Sequence, residues 1–522
     1  MRRTGGQAVV DALDAWGADV VFGIPGVHTL TLYDALYGHP RIRHVTTRHE
    51  QGAAFMADGY ARASGKVGVV LTTTGPAAVN ALTPLGEAYA ESSPVLLIAS
   101  GPTEETAGTD LGTLHEMRDQ FGMLKKICGQ GRRVNRVEDI PEAVSEAFAA
   151  MQTRRPRPYV LEAPLDVFKA EADLTQPQAE SLAPPQPDAG LLKKAADLIR
   201  TASRPLALAG GGAQGASAEV VHLAERIGAP VGLTANGLGV VPADHPLFLG
   251  RAETMGPWVT KTDLLIATGT RFGDPVVRSW REARPRRLVH LDVDPGVIGR
   301  RYPAEVGLVG DARSGLQALC AGLDEKASEW SPEEVASARE TPQEAGALPE
   351  ILKSLRRALD RDAVVTSDMT MLCYQARRRF PVYVPRSFLS PNYYGALGFS
   401  VPAAIGARTA CPDRQVVALC GDGGFLFTAQ ELSTARQQRL GLPIVLCNDN
   451  TYSAIKRAQD RDCGGRHIGV DLENPNFVSF ARSFGVNGVR VTSCAEFEEA
   501  MQMALKADLP TVIEVFLPAF AP

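Results

Sequence analysis

Two short β-branched runs in the last third of the chain end in oxygen-bearing side chains. Val416–Cys420 runs into Gly421-Asp422-Gly423-Gly424, and Ile444–Cys447 runs into Asn448-Asp449-Asn450. Asp422 offers a carboxylate and Asn448 an amide oxygen, while the glycines at 421, 423 and 424 let backbone approach a ligand closely. Oxygen donors of this kind suit a hard cation such as Mg²⁺, which usually keeps a phosphate among its ligands. A pair of Asx turns is the plain structural alternative, and a lone GDG would favour it. Two such ends, with 24 residues between Gly423 and Asn448, favour the ligand.

The intervening segment must bring both ends to one place. Thr428-Ala-Gln-Glu431 has the T-x-x-E pattern of a capping box that starts a helix. Gly441, with Pro443 beyond it, is a stop signal. Strand, acidic turn, helix, strand and amide turn make one βαβ unit, whose right-handed crossover sets both strand ends on the same edge of the sheet. Ligands of open α/β sheets bind at that edge, and N–H groups near the start of the Thr428 helix are expected to face phosphates.

Strand-like and helix-like patterns alternate along nearly the whole chain, the mark of an α/β fold with mostly parallel sheets. Lys169–Gly190 is polar and proline-rich, and Gly322–Leu348 is acidic with little apolar periodicity. Read as linkers, they divide the 522 residues into units 1–168, 190–322 and 349–522. The first and third units close alike, with P-x-V-x-E at Pro158–Glu162 and Pro510–Glu514. This weak repeat predicts two doubly wound domains flanking a different one. The middle unit opens with a strand, Gly210-Gly211-Gly212 and a helix, but the spacing is not G-x-G-x-x-G. A working nucleotide site and a plain Rossmann-like domain both stay open there.

Composition is that of a soluble globular protein, 45% hydrophobic and 22% charged, and a net charge of -5 gives no reason to expect nucleic acid. The N-terminus has no apolar signal core and no run approaches about 18 apolar residues, so a cytoplasmic location without membrane contact is expected. The eight cysteines are scattered without a CxxC pair, and are expected to be buried thiols, Cys420 and Cys447 within strands.

GDG, two dozen residues and N-D-N resembles the thiamine diphosphate motif of the acetolactate synthase and 2-oxo acid decarboxylase superfamily. The resemblance extends over essentially the whole chain and implies pyrimidine-binding, central and diphosphate-binding domains. It implies that Asp422, the Asn448 side chain and the Asn450 backbone carbonyl hold Mg²⁺ against the cofactor diphosphate, with Gly421, Gly423, Gly424, Thr451 and Tyr452 around them. In the first unit Arg48-His49-Glu50 is similar to the family's strand end, which places Glu50 on the glutamate that serves the aminopyrimidine ring. Acid–base assistance of that kind contributes about 10²–10⁴-fold. Read alone, Glu50 is a carboxylate at a helix N-terminus. Phe22–Gly26, with Pro25 and Gly26, resembles the F-G-x-P-G turn, and Gly75–Asn80 the G-P-G-A-T-N loop. Tyr394–Ala407 resembles the segment whose apolar residue, here Leu397, wedges the cofactor into a bent shape. Family domains from two subunits clasp one cofactor, which implies a homodimer or homotetramer with the site at the subunit interface.

The resemblance also implies the reaction class. A 2-oxo acid loses CO₂, and what remains is either protonated to an aldehyde or joined to a second carbonyl. Thr113–Met117 stands where acetolactate synthases have A-F-Q-E, Ala77 replaces the second glycine of G-P-G, and no tryptophan follows the Asn448 motif. The pattern is more similar to decarboxylases of basic 2-oxo acids, such as 5-guanidino-2-oxopentanoate decarboxylase. Val27 stands where some pyruvate decarboxylases carry an aspartate, which leaves His28 and His115 as candidates for proton transfer, against purely structural roles. Glu116 and Asp110 are candidates to meet a guanidinium. The alternatives are an acetolactate synthase catalytic subunit, a non-catalytic cofactor-binding paralogue and a nucleotide-dependent dehydrogenase. Thiamine diphosphate and Mg²⁺ are the expected cofactors. FAD is an alternative, since the G-G-G turn is kept while Arg271–Pro275 departs from the flavin-binding R-F-D-D.

Overall fold

A computed structural model describes residues 1–339 and 346–521. It contains three six-stranded parallel sheets flanked by helices. The first is built from Val20–Gly23, Arg43–Thr46, Gly68–Thr72, Val95–Gly101, Gly131–Arg133 and Tyr159–Pro164. The third is built from Val364–Ser367, Phe388–Leu389, Val416–Gly421, Pro443–Asn448, Asn487–Val491 and Thr511–Phe516. Counted along the chain within each domain, both sheets have the order 2-1-3-4-6-5, whereas the middle sheet has 3-2-1-4-5-6, the order of a dinucleotide-binding fold. The faint P-x-V-x-E echo is therefore topological. Each copy is the sixth strand, and each buried glutamate meets an arginine on the neighbouring edge strand: Glu162 with Arg133 at 3.6 Å and Glu514 with Arg490 at 2.8 Å.

Strands such as Val95–Gly101 are buried along their full length, because helices cover both faces of a parallel sheet. The first and third domains join through the helices Glu50–Ser64 and Ser400–Ala410, both rich in alanine and glycine. A Cβ at Gly59 would collide with the Ala403 backbone, and one at Gly406 with the Met56 carbonyl. Small residues thus bring two helix backbones into contact, fixing the frame from which Glu50 projects.

Three expectations are corrected. The Thr428 capping box does not form, because both side chains find partners far along the chain. The Thr428 hydroxyl donates to the Gly398 carbonyl at 2.8 Å, and Glu431 accepts from Arg48 and His49. The first helical turn after the strand is Asp422–Phe425, and Leu432–Gln437 follows a 3₁₀ turn. Within the acidic segment after Gly322, Pro332–Arg339 is helical and packs on the middle domain. Trp330 and Val335 are buried there, and the Trp330 indole N–H donates to the Pro205 carbonyl at 2.7 Å. Residues 340–345 of that segment lie outside the described residues. The cysteines are free thiols, five of them buried with Cys420 and Cys447 included, but Cys463 is exposed. It ends the helix Ser453–Cys463, which buries no residue. Among the described residues no helix is long and apolar enough to cross a membrane.

Candidate active site

Parallel pairing of Gly421 with Cys447 puts the two polar strand ends side by side. Gly421 ends its strand, and Gly423 and Gly424 lie in the turn Asp422–Phe425. The buried Asp422 and Asn448 meet at a single atom. Asn474 Nδ2 donates to Asp422 Oδ2 at 2.7 Å, Asn448 Oδ1 at 3.1 Å and Asn450 Oδ1 at 3.2 Å. Three oxygens converging on one positively polarised group form a donor set suited to a small hard cation. Sequence reading missed Asn474, which stands in a polar loop without a motif of its own. The Asn450 backbone carbonyl accepts from the Leu472 N–H at 2.8 Å with one of its two lone pairs, and the Asn450 side-chain oxygen reaches the shared point.

Asn448 is held in one orientation. Its Nδ2 donates to Glu514 Oε1 at 2.8 Å, which leaves Oδ1 for the shared point, and Arg490 grips Glu514 with two bonds at 2.8 and 3.0 Å. Burial pushes the Asp422 carboxyl up despite the hydrogen bonds from Gly423 and Asn474, so a cation at the shared point would favour its ionised form. Asp449 closes an Asx turn, accepting from the Thr451 N–H at 3.3 Å and from the Ser453 hydroxyl. The Thr451 hydroxyl donates to the Val470 carbonyl at 2.8 Å. The Tyr452 ring covers Gly423 so closely that a Cβ there would collide with it.

In the N-terminal domain Glu50 begins its helix, and Asn80 Nδ2 donates to Glu50 Oε2 at 2.9 Å. Pro25 and Gly26 follow the strand Val20–Gly23, with Gly26 against Thr73. His28 Nδ1 lies 2.9 Å from the Thr74 hydroxyl, which continues to the Ser100 hydroxyl at 2.9 Å. The His28 and His115 rings meet edge to face, 5.2 Å between centroids. Burial, then the charge of His115, pushes the His28 imidazole down. His115 is held at φ 62°, and among the described residues its buried Nδ1 has no hydrogen-bond partner. Glu116 is corrected as a guanidinium reader, because it accepts from the N–H groups of Leu111 and Thr113, both at 3.1 Å, and stitches its own loop. Asp110 lies in the same loop at φ 61°. Leu397 is half-buried, its backbone neighbours held by Glu87 and Asp368. Among the described residues no hydrogen bond or ion pair joins Glu50 to Asp422, Asn448 or Asn450. In the middle domain Gly210 and Gly212 donate their N–H groups to the carbonyls of Thr268 and Gly269, which leaves that turn less open to a phosphate than its sequence suggests.

Family models cover all three domains. Residues 3–123 match the N-terminal TPP binding domain of thiamine pyrophosphate enzymes, residues 192–319 their central domain and residues 368–515 their C-terminal TPP binding domain. The chain belongs to the thiamine pyrophosphate enzyme family. The relatives compared carry two kinds of name. A "probable 2-ketoarginine decarboxylase" of Pseudomonas aeruginosa is 39% identical, over 98% of this chain and 94% of its own. A "probable acetolactate synthase large subunit" of Methanocaldococcus jannaschii is 35% identical, over 98% and 92%. The acetolactate synthase isozyme 2 large subunit of Escherichia coli is 33% identical, over 98% and 95%. This thiamine pyrophosphate enzyme is thus similar over 98% of its length to a protein named as a decarboxylase and to proteins named as acetolactate synthases.

Proposed function

We propose that this thiamine pyrophosphate enzyme decarboxylates a basic 2-oxo acid, with Mg²⁺ anchoring the cofactor diphosphate. The observation that carries the reading is the convergence of Asp422, Asn448 and Asn450 oxygens on the Asn474 amide N–H group at the sheet edge. These residues would hold Mg²⁺, with Gly421, Gly423, Gly424, Thr451 and Tyr452 around the diphosphate and Leu397 against the cofactor's bend. When bound, thiamine diphosphate supplies the carbon that adds to the 2-oxo carbonyl and accepts the electron pair left as CO₂ departs. Glu50, oriented by Asn80, would hold a proton for exchange with the cofactor's pyrimidine, with Pro25 and Gly26 as further binding residues. His28 and His115 move the proton that completes an aldehyde product.

The 39% identity to a protein named for 2-ketoarginine, and the Thr113–Met117 stretch, support a basic substrate. Acetolactate formation is the second reading, supported by the relatives named for it. The protein works as a homodimer or homotetramer in the cytoplasm, with Glu50 of one subunit facing the cation site of another. Supporting this, no hydrogen bond or ion pair among the described residues joins Glu50 to the cation site, and Val27, Leu30, Leu426, Phe427 and Ile455 beside the two half-sites are exposed. Flavin is carried as an alternative, which the visible spectrum of the purified protein decides. A CO₂-release screen over pyruvate, branched, aromatic and guanidino 2-oxo acids, with Mg²⁺ and thiamine diphosphate, tests the function. Fastest release from the guanidino acid with an aldehyde product supports it, and acetolactate from pyruvate transfers it to the second reading.

A further inference from the structure

Leu397 stands in the C-terminal domain, yet part of what holds it comes from the N-terminal domain. The helix Leu82–Glu91 carries Glu87 and Glu91 one turn apart, both buried, and both aimed at the backbone that leads to Leu397. Glu91 Oε1 accepts from the N–H groups of Asn392 and Tyr393 at 2.7 and 2.8 Å, while its Oε2 accepts from Asn236 Nδ2 of the middle domain at 2.6 Å. Glu87 Oε2 accepts from the N–H of Ala396 at 3.0 Å. On the other side of Leu397, Asp368 accepts from the Gly398 N–H at 3.0 Å and the Thr428 hydroxyl donates to the Gly398 carbonyl at 2.8 Å. Leu397 therefore sits between two pinned peptides, and only one pin crosses from another domain.

We propose that Glu87 is a positioning residue for the reaction, setting Leu397 through the Ala396 N–H. The proposal rests on the reading that Leu397 supports the bound cofactor. Glu87 does this as an acceptor of fixed reach and not as a charge. Among the described residues no ion pair is made by its carboxyl and its buried Oε1 has no hydrogen-bond partner, while burial, then the charge of Glu91, pushes the group up to about 8 against the weaker pull of Arg62. A displaced Leu397 changes how the reacting groups are aligned, so turnover is affected more than affinity; a misplacement near 1 Å is worth about 10²-fold.

The experiment compares Glu87→Gln with Glu87→Asp in the full-length protein. It measures kcat with the 2-oxo acid that releases CO₂ fastest and the Kd for thiamine diphosphate with Mg²⁺ by calorimetry. Gln keeps reach and acceptor, so kcat should stay within about three-fold of the wild type. Asp is one methylene short and should lose about 10–10²-fold in kcat with a much smaller change in Kd. Glu87→Met, which has the length but no acceptor, replaces Asp if the shortened carboxylate does not fold, with the same loss expected. Glu87→Asp combined with Leu397→Ala should be no slower than Leu397→Ala alone, since both changes act through one side chain. A Gln variant slowed as much as the Asp variant, an Asp variant at wild-type rate, or losses that add to those of Leu397→Ala would overturn the proposal. Absence of thiamine diphosphate binding by the wild type is a different outcome and defeats the proposed function itself.

Discussion

Glu431 Oε1, in the C-terminal domain, accepts the backbone N–H of His49, the residue before Glu50, at 3.0 Å. Both its oxygens also receive the Arg48 N–H at 3.2 Å, and the Thr434 hydroxyl donates to Oε2 at 2.6 Å. A carboxylate from one end of the chain thus caps the helix whose first residue is Glu50. Such a cap satisfies N–H groups that no helix carbonyl can reach and places negative charge at the favourable end of the helix.

Replacing Glu431 by Ala should destabilise the protein by about 1–3 kcal/mol, because the part-buried Arg48 and His49 N–H groups and the buried Thr434 hydroxyl lose their acceptor. Activity should fall further than stability alone explains, since Glu50 loses its register. Urea denaturation with parallel steady-state kinetics checks both. An Ala variant with unchanged midpoint and kcat would show that the contact is incidental.

The same carboxyl makes stability depend on pH. Burial pushes Glu431 up to about 7 from an ordinary value near 4.5, against the hydrogen bonds it accepts. The folded state therefore binds a proton that the unfolded state has released between these values. Its contribution is complete below about 4.5 and is lost as pH rises toward and through 7. Glu431→Gln should gain in Tm relative to the wild type as pH is raised from 5 to 8. Thermal melts across that range test the sign, and a difference that is flat or shrinks with pH contradicts it.

Glu514 never faces the shared cation point, yet it decides which end of the Asn448 amide does. Glu514→Ala frees that amide to rotate and should weaken Mg²⁺ affinity about 10–100-fold, as supporting ligand partners commonly do. Asp422→Ala, which removes a donor outright, should abolish Mg²⁺-dependent binding of thiamine diphosphate. Calorimetry with the cofactor and graded Mg²⁺ separates the two, and equal affinity in Glu514→Ala and wild type would remove Glu514 from the site.

Much of this was legible in the residues, and all the misses but Glu116 share one physical cause. The strand ends and even the P-x-V-x-E echo announce themselves through local pattern, because strand burial and tight turns constrain nearby residues, whereas Glu50 stands out only through the family resemblance. The Thr428-x-x-Glu431 pattern misled because a capping box is a local option, and both side chains are satisfied by partners brought in by the fold. Asn474, Glu87 and Glu514 share that property. Each acts on a residue distant in sequence, and neither Asn474 nor Glu87 sits in any motif. Glu116 reads as a free acid in sequence but is consumed by three N–H groups of its own loop.

Glu50 separates an enzyme from a cofactor-binding relative. Glu50→Ala should retain thiamine diphosphate affinity within about ten-fold, since Asp422, Asn448 and Asn450 are untouched, while losing the 10²–10⁴-fold that acid–base assistance provides. Cofactor titration and CO₂ release measure the two independently. Full turnover in that variant would end the catalytic assignment.

His28 offers the sharpest test of proton transfer. Its imidazole is pushed below the ordinary 6.5 by burial and by His115, so it is neutral at pH 7 and protonates only on acidification. Nδ1 is fixed on the Thr74 hydroxyl at 2.9 Å, which leaves the other ring nitrogen to exchange a proton with bound reactant. His28→Ala should therefore reduce kcat by about 10²–10⁴-fold. Wild-type kcat, which includes the proton transfer that follows CO₂ loss, should rise as pH falls below the ordinary 6.5 and the imidazolium donor becomes populated, and the variant should lack that rise. If the residue only packs against His115, the variant will lose less than about three-fold and keep the wild-type pH profile, and the proton must then travel by another group.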